Sequence, residues 1–335
     1  MKAILVGLGG RGRHWVRVCR DFGTVELVAY VEPAANIRKL AITELAIAEN
    51  TIHASLAEAI KAHKADFVID VTPPAAHETV ALAAFENGLH VLGEKPISSS
   101  VAVARRMIEA SRRAGRRHMI TQNYRFGAVP RTTRRLINDG IIGKPGQLDV
   151  TFYMPWADMA GSHYVTEPYM FLNDMCIHHF DMMRYILGAD PASVHCITWN
   201  HPWGWHKGDA CHVAHFGFSD GLHATHTGLG CSVGKTTSWN GNWRLEGPQG
   251  SLSWEADKII VVQGHRTEKK VNGEQPLDQL PYVGEKAILA EFLKALKENR
   301  EPECSGEDNL KSLSMALAAI KSAQEKREVR LAELG

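Results

Sequence analysis

The sequence has no run of about 20 apolar residues, the length a membrane-spanning helix needs, and no charged, apolar and cleavable leader at its start. It has no excess of one charge either: 38 Lys+Arg stand against 37 Asp+Glu, a formal net charge of +1. No uniform field is therefore available to recruit nucleic acid or an anionic membrane surface. Cysteine is sparse and unpatterned. The six residues, Cys19, Cys176, Cys196, Cys211, Cys231 and Cys304, form no C-x-x-C pair and read as reduced, mostly buried thiols. These absences predict a cytoplasmic protein that binds a small neutral or weakly charged molecule. At 335 residues the chain is too long for one short module and suits about two domains of roughly 150 residues. Histidine is in excess, with seventeen residues, ten of them clustered from His163 to His226.

The first motif is at the N-terminus. A short apolar run from Lys2 to Val6 leads into Gly7-Leu8-Gly9-Gly10-Arg11-Gly12, which matches G-x-G-x-x-G at Gly7, Gly9 and Gly12, and a helical stretch follows from Arg13. A second apolar run, Val25 to Val31, ends in Glu32, 20 residues beyond Gly12. Strand, glycine turn, helix and a carboxylate at that spacing form the context of a dinucleotide site. Gly7 allows the turn, Gly9 lets the backbone approach a pyrophosphate, Gly12 lets helix and strand pack closely, and Gly10 and Arg11 lie in the same loop. The helix N-terminus offers unpaired N–H groups to the phosphates. Glu32 would hold the adenosine ribose hydroxyls and repel a 2′-phosphate, which predicts NAD as cofactor. Arg11, Arg13 and Arg38 are near enough in sequence to keep NADP open.

Apolar and helical stretches then alternate: helix Asn36 to Glu49, strand near Ile52, helix Leu56 to His63, strand Phe67 to Val71, helix Ala75 to Asn87, strand His90 to Leu92, helix Val101 to Ala114 and strand His118 to Thr121. Such repeats predict an α/β fold with a doubly wound parallel sheet, its ligand at the carboxyl ends of the strands. Three segments fall there: Gly7 to Gly12, Thr72-Pro73 with His77 one turn on, and Glu94-Lys95-Pro96.

Together with Gln122-Asn123-Tyr124-Arg125-Phe126, and Asp174-Met175-Cys176-Ile177-His178 followed by Asp181, these segments resemble the Gfo/Idh/MocA family. The resemblance covers nearly the whole chain. It implies a Rossmann domain over residues 1–122, then a C-terminal α/β domain over 123–335 with a large, mostly antiparallel open sheet, whose closing helices can pack back on the first domain. It also implies NAD(P)-dependent hydride transfer to or from a sugar, polyol or related carbonyl. Strands are expected from Gln147, Val194, His212, His223, Asn242, Ser251 and Ile259, and helices over Thr132 to Asp139, Tyr169 to Leu187, Lys286 to Lys297 and Leu310 to Glu325.

Oxidising a carbinol requires a base for the hydroxyl proton and a group to hold the oxygen. Lys95, at a strand end, and His178, of a residue type that starts near neutrality, are the residues suited to that work. Asp174 and His178 are four apart and so on one helix face. From the resemblance, His178 is the principal acid/base, Lys95 holds the substrate oxygen and Asp174 binds substrate. Taken singly, Lys95 reads as a surface lysine and Asp174/His178 as an ordinary helix pair; the matched context favours function. Thr72, Pro73, His77, Glu94 and Lys95 are expected near the cofactor. Tyr124, Arg125, Trp156, His163 and Tyr164 lie in loops that reach a substrate pocket or pack at the domain junction. Tyr169 to Asn173 and Cys176 are bulkier than the glycine run and small residue of many relatives, which predicts a reshaped pocket.

His212, His215, His223 and His226, with Cys211 and Cys231, invite a zinc reading. Residues three apart on a strand face opposite sides, so the spacing argues against a metal and for a sheet face or a subunit interface. The sequence therefore predicts no metal, and a homodimer or homotetramer through the C-terminal sheet. Two other readings compete with the dehydrogenase: a redox-neutral lyase or glycosidase with tightly bound NAD, and a non-enzymatic nucleotide-sensing regulator.

Overall fold

The computed structural model describes residues 1–156, 161, 163–264 and 270–335. The chain divides into two compact units, Met1–Asn123 with Tyr282–Leu310, and Tyr124–Pro281 with Lys311–Gly335.

The first unit is built on six strands, β1 (Lys2–Val6), β2 (Glu26–Val31), β3 (Ile52–His53), β4 (Phe67–Asp70), β5 (His90–Gly93) and β6 (His118–Ile120), all parallel in the order β3-β2-β1-β4-β5-β6. Helices α1 (Gly10–Phe22), α2 (Ala35–Leu45), α3 (Leu56–Ala62), α4 (His77–Glu86) and α5 (Val101–Ala114) connect them. Strands covered on both faces need unbroken apolar runs, and Ala3, Ile4, Leu5, Phe67, Val68 and Ile69 are fully buried. The strand order reverses between β1 and β4, which opens a crevice at their carboxyl ends. Helix α5 is fixed at both ends, by the Ser100 side chain accepting from Val103 N–H at 3.4 Å and by Gly115 at φ +61°. Helix α2 stops at Leu45, four residues before the expected end, where Ala46 turns to φ 51°. The later helix α8 (Gly284–Lys297) belongs to this unit, with Phe292 edge-on to Phe67 at 5.3 Å.

The second unit carries a nine-stranded sheet: β7 (Gln147–Tyr153), β8 (Ser193–Trp199), β9 (Cys211–Gly217), β10 (His223–Leu229), β11 (Asn242–Gly247), β12 (Gly250–Glu255), β13 (Lys258–Gln263), β14 (Lys270–Gln275) and β15 (Val329–Arg330). Their order is β14-β13-β12-β11-β7-β10-β9-β8-β15, antiparallel throughout except for the β7–β10 pair. Alternate residues face the core: Leu148, Val150 and Phe152 are buried while their neighbours are half-exposed. Helices α6 (Ala128–Asn138) and α7 (Cys176–Leu187) cover that face, with Phe180 of α7 edge-on to Phe216 of β9 at 5.1 Å. Helix α9 (Gly306–Glu325) adds Met315, Ala316, Ala318 and Ala319 to this core. Strands β14 and β15 were not expected from the sequence. Among the described residues, no helix is long and apolar enough to cross a membrane.

Candidate active site

The glycine loop has the shape its residues predict. Gly7 adopts φ +95°, and a Cβ there would meet the Val71 carbonyl oxygen at 2.7 Å. A Cβ on Gly12 would lie 1.9 Å from the Gly7 carbonyl oxygen, so helix and strand need glycine at that crossing. Around Gly9 and Gly10 a Cβ would meet nothing within 4 Å, leaving open space at the N-terminus of α1. Glu32 is held beside the loop: its Oε2 accepts Leu8 N–H and its Oε1 accepts Ala34 N–H, both at 3.0 Å.

The three arginines that kept NADP open are occupied within this unit. Arg11 pairs with Glu94 at 2.6 Å and with Glu285 of α8 at 2.8 Å. Arg13 pairs with Glu44 at 2.8 Å, and Arg38 donates to the Glu32 and Pro33 carbonyls at 2.9 Å. Their cations are spent on carboxylates and main-chain oxygens, which restores the force of the Glu32 argument. The two carboxylates also hold the Arg11 guanidinium above its usual range, against the opposing effect of burial.

Three residues expected at the cofactor are held by partners within this unit. Glu94 is buried, and its Oε1 accepts from Arg11 and, at 2.7 Å, from the Trp15 indole, while Oε2 accepts from Thr121 at 2.8 Å. With these partners it fixes the loop that carries Lys95. His77 is also buried: Nε2 lies 2.9 Å from the Thr72 carbonyl oxygen and Nδ1 lies 3.1 Å from that of Pro96. It ties the Thr72-Pro73 turn to the Lys95-Pro96 segment. Arg11 has the paired role given above. Thr72 donates through its N–H (3.0 Å) and hydroxyl (2.6 Å) to Asp70, whose carboxyl burial pushes upward despite those bonds and nearby His77. Lys95 lies two residues beyond the end of β5, half-buried, and its bond to Pro96 is cis.

The sequence places Gln122 in the Gln122–Phe126 segment without giving it a role of its own. It is fully buried just after β6, and among the described residues neither its Oε1 nor its Nε2 has a hydrogen-bond partner. A buried amide without partners is costly. Its place at a strand carboxyl end was the available signal.

In the second unit Asp174 lies in a single π-helical turn, Phe171–Met175, that leads into α7. The expected helix is present, but its first turn is widened, so the simple four-residue spacing of an α-helix face does not describe Asp174 and His178. Such π turns are frequent at functional sites. The Tyr164 hydroxyl donates to Asp174 Oδ2 at 3.3 Å, and burial together with that carboxylate raises the phenol pKa. Tyr124 stacks on the His178 imidazole at 4.2 Å with planes 11° apart.

Other expected pocket residues have partners within the second unit. Arg125 is buried and donates from Nε to Asp181 Oδ2 at 2.7 Å and from Nη2 to Oδ1 at 2.5 Å. Ser312 donates to the same carboxylate at 3.0 Å. Trp156 is buried, stacked on Tyr164 at 5.5 Å and edge-on to Phe171 at 5.7 Å. His163 begins the short turn His163–Val165, and its side chain lies outside the described residues.

The histidine cluster separates by strand face, as alternation requires. His215 and His223 pair on the exposed face at 3.0 Å, and His212 and His226 pair on the buried face at 2.9 Å. The spacing argument considered each strand alone and so missed the pairs formed between β9 and β10.

Residues 1–122 match the family described as the oxidoreductase family with an NAD-binding Rossmann fold. Residues 131–253 match the GFO/IDH/MocA C-terminal domain. The chain belongs to the Gfo/Idh/MocA family. It is similar to D-apiose dehydrogenase of Paraburkholderia graminis, 25% identical over 99% of this chain and 90% of the relative. It is also similar to 1,5-anhydro-D-fructose reductase of Ensifer adhaerens, 27% identical over 95% of both. Among solved structures, an oxidoreductase from Agrobacterium radiobacter in complex with NAD+, L-tartaric acid and magnesium superposes with a TM-score of 0.89 at 20% identity, covering 100% of this chain and 99% of that one. The family's cofactor fits the first unit, which leaves open space at Gly9 and Gly10 and presents the Glu32 carboxylate at the end of β2.

Proposed function

We propose that this protein is an NAD-dependent oxidoreductase that transfers a hydride between the nicotinamide and a sugar, polyol or related carbonyl compound. The observation that carries the reading is the glycine loop at the N-terminus of α1, open at Gly9 and Gly10, with Glu32 fixed beside it by two main-chain N–H groups. Bound NAD supplies the carbon that accepts or gives the hydride.

The chain's own residues bind, orient and move the proton. Gly7, Gly9, Gly10 and Gly12 give the phosphates access to the helix N-terminus, and Glu32 receives the adenosine ribose hydroxyls. Lys95 holds the reacting oxygen as charge develops on it, in a loop fixed by Glu94 and His77. His178 takes or returns the hydroxyl proton, its ring oriented by the stacked Tyr124. Asp174 and Tyr164, hydrogen-bonded to each other, bind further hydroxyls of the substrate. The near-neutral net charge of +1 agrees with an uncharged polyhydroxy compound. The similarity to a dehydrogenase and a reductase of sugar derivatives supports this substrate class. In this reading the protein is cytoplasmic and assembles as a homodimer or homotetramer through the nine-stranded sheet.

A thermal-shift screen tests the cofactor first: NAD at about 100 times its Kd stabilises the fold by about 2.7 kcal/mol, and NADP does so less. A sugar and polyol panel follows, read at the nicotinamide absorbance band. A net absorbance change supports hydride transfer to substrate. Product formation without one would instead identify a redox-neutral lyase or glycosidase, and nucleotide binding without turnover a regulator.

A further inference from the structure

We propose that Cys176, His212 and His226 form a buried site in the second unit for one soft monovalent metal ion, Cu(I). The three residues come from different elements, the first residue of α7 and strands β9 and β10. Their ligand atoms all lie within 4.8 Å of one another, and all three side chains are buried. Thiolate and imidazole are the donors that soft d10 ions select.

The surroundings are built for the imidazoles. Gly228 sits opposite His212 in the β9–β10 ladder, and a Cβ there would lie 2.1 Å from His212 Cε1. Only glycine leaves room for that ring. Behind the cluster, His226 Nε2 lies 2.8 Å from His179 Nδ1, and His179 Nε2 lies 2.9 Å from the Trp239 carbonyl oxygen. A carbonyl only accepts, so a neutral His179 carries its hydrogen on Nε2, and Nδ1 accepts from His226 Nε2–H. That leaves a lone pair on His226 Nδ1, directed at His212 Nε2 at 2.9 Å. A metal-binding histidine is normally held in this way, its second nitrogen donating to an acceptor behind it.

Charge selects the ion. On binding, bonds form from the metal to Cys176 Sγ, His226 Nδ1 and His212 Nε2. The thiol proton leaves to solvent, and the hydrogen shared by the two histidines moves to His212 Nδ1. A monovalent ion, one thiolate and two neutral imidazoles sum to zero. A divalent ion would leave one net positive charge among Phe152, Phe171 and Phe180, which surround the histidine chain at ring distances of 4.4 to 6.1 Å, countered only in part by the Asp174 carboxylate that acts on Cys176 from the adjoining π turn. An uncompensated charge in apolar surroundings is heavily penalised.

The test titrates reduced, oxygen-free protein with Cu(I) presented as its bicinchoninate complex. The expected result is one Cu(I) withdrawn per chain, lost in Cys176→Ser and His226→Gln, and held roughly 10–100-fold more weakly in His179→Gln. Circular dichroism and the NAD thermal shift establish that the variants fold. If they do not, X-ray absorption on the wild-type complex decides, and a three-coordinate shell of one sulfur and two nitrogens is expected. No withdrawal by the wild type, full retention by a folded Cys176→Ser, or tighter binding of Zn(II) than of Cu(I) overturns the proposal. So does a shell of two sulfurs, whether from Cys176 with neighbouring Cys196 or from Cys211 and Cys231, whose Sγ atoms lie 3.5 Å apart.

Discussion

Replacing Arg125 by Ala separates two roles a sequence motif leaves entangled. If Arg125 binds substrate, the change raises KM and leaves the fold intact. The structure predicts the reverse. The guanidinium is 4% exposed and its carboxylate partner Asp181 is 1% exposed, joined by two hydrogen bonds of 2.7 and 2.5 Å, and Ser312 donates to the same carboxylate. Removing one member of such a pair leaves a buried charge uncompensated, a loss of about 3–5 kcal/mol. For a domain of this size each kcal/mol moves Tm by about 2–4 °C, so the melting point of the second unit should fall by about 6–20 °C. Replacing both residues by leucine should recover much of that loss, because no orphaned charge remains. Scanning calorimetry on the nucleotide-free protein reads the shift, and steady-state kinetics reads KM. A melting point within about 2 °C of wild type, together with a large rise in KM, would refute the structural assignment.

Other outcomes follow from the same geometry. Gly12→Ala places a Cβ 1.9 Å from a main-chain oxygen, so the loop must shift, and NAD should no longer raise the melting temperature. Glu32→Ser removes the carboxylate that excludes a 2′-phosphate and should lower the NAD-over-NADP ratio of kcat/KM by tenfold or more, about 1.4 kcal/mol; an unchanged ratio would place cofactor selection elsewhere. Burial holds the His118 imidazole down at about 3, and burial with Arg116 and Arg117 holds His90 down at about 4, where Nδ1 accepts the Arg117 N–H at 2.8 Å. Both pKa values lie below that of an unfolded histidine, so the unfolded chain binds more protons below about pH 6.5 and stability falls as pH drops from there toward 4. Urea midpoints that stay flat between pH 7 and pH 5 would contradict this.

The parts of this molecule that follow a local rule were legible in its sequence. Gly7 and Gly12 carry their spacing in the chain itself, and both are required by contacts a Cβ would make. The parallel sheet followed from apolar runs alternating with amphipathic helices. The partners of Glu94, His77 and Arg125, namely Trp15, Pro96 and Asp181, were not legible because they lie 19 to 79 residues away. Nothing local distinguishes a buried support from a ligand contact. The π turn at Asp174 was hidden because Tyr169 to Leu187 reads as one helical stretch. The His212–His226 pair was hidden for a related reason, since alternation along one strand is local but the pair depends on register between two.

The central claim, hydride transfer with proton movement through Lys95 and His178, is tested most directly by turnover. Nicotinamide absorbance is followed for wild type, Lys95→Ala and His178→Ala on the best substrate of the panel, with the NAD thermal shift as a binding control. Each variant should keep the shift and lose at least about 100-fold in kcat. Wild-type turnover in both variants would contradict the account.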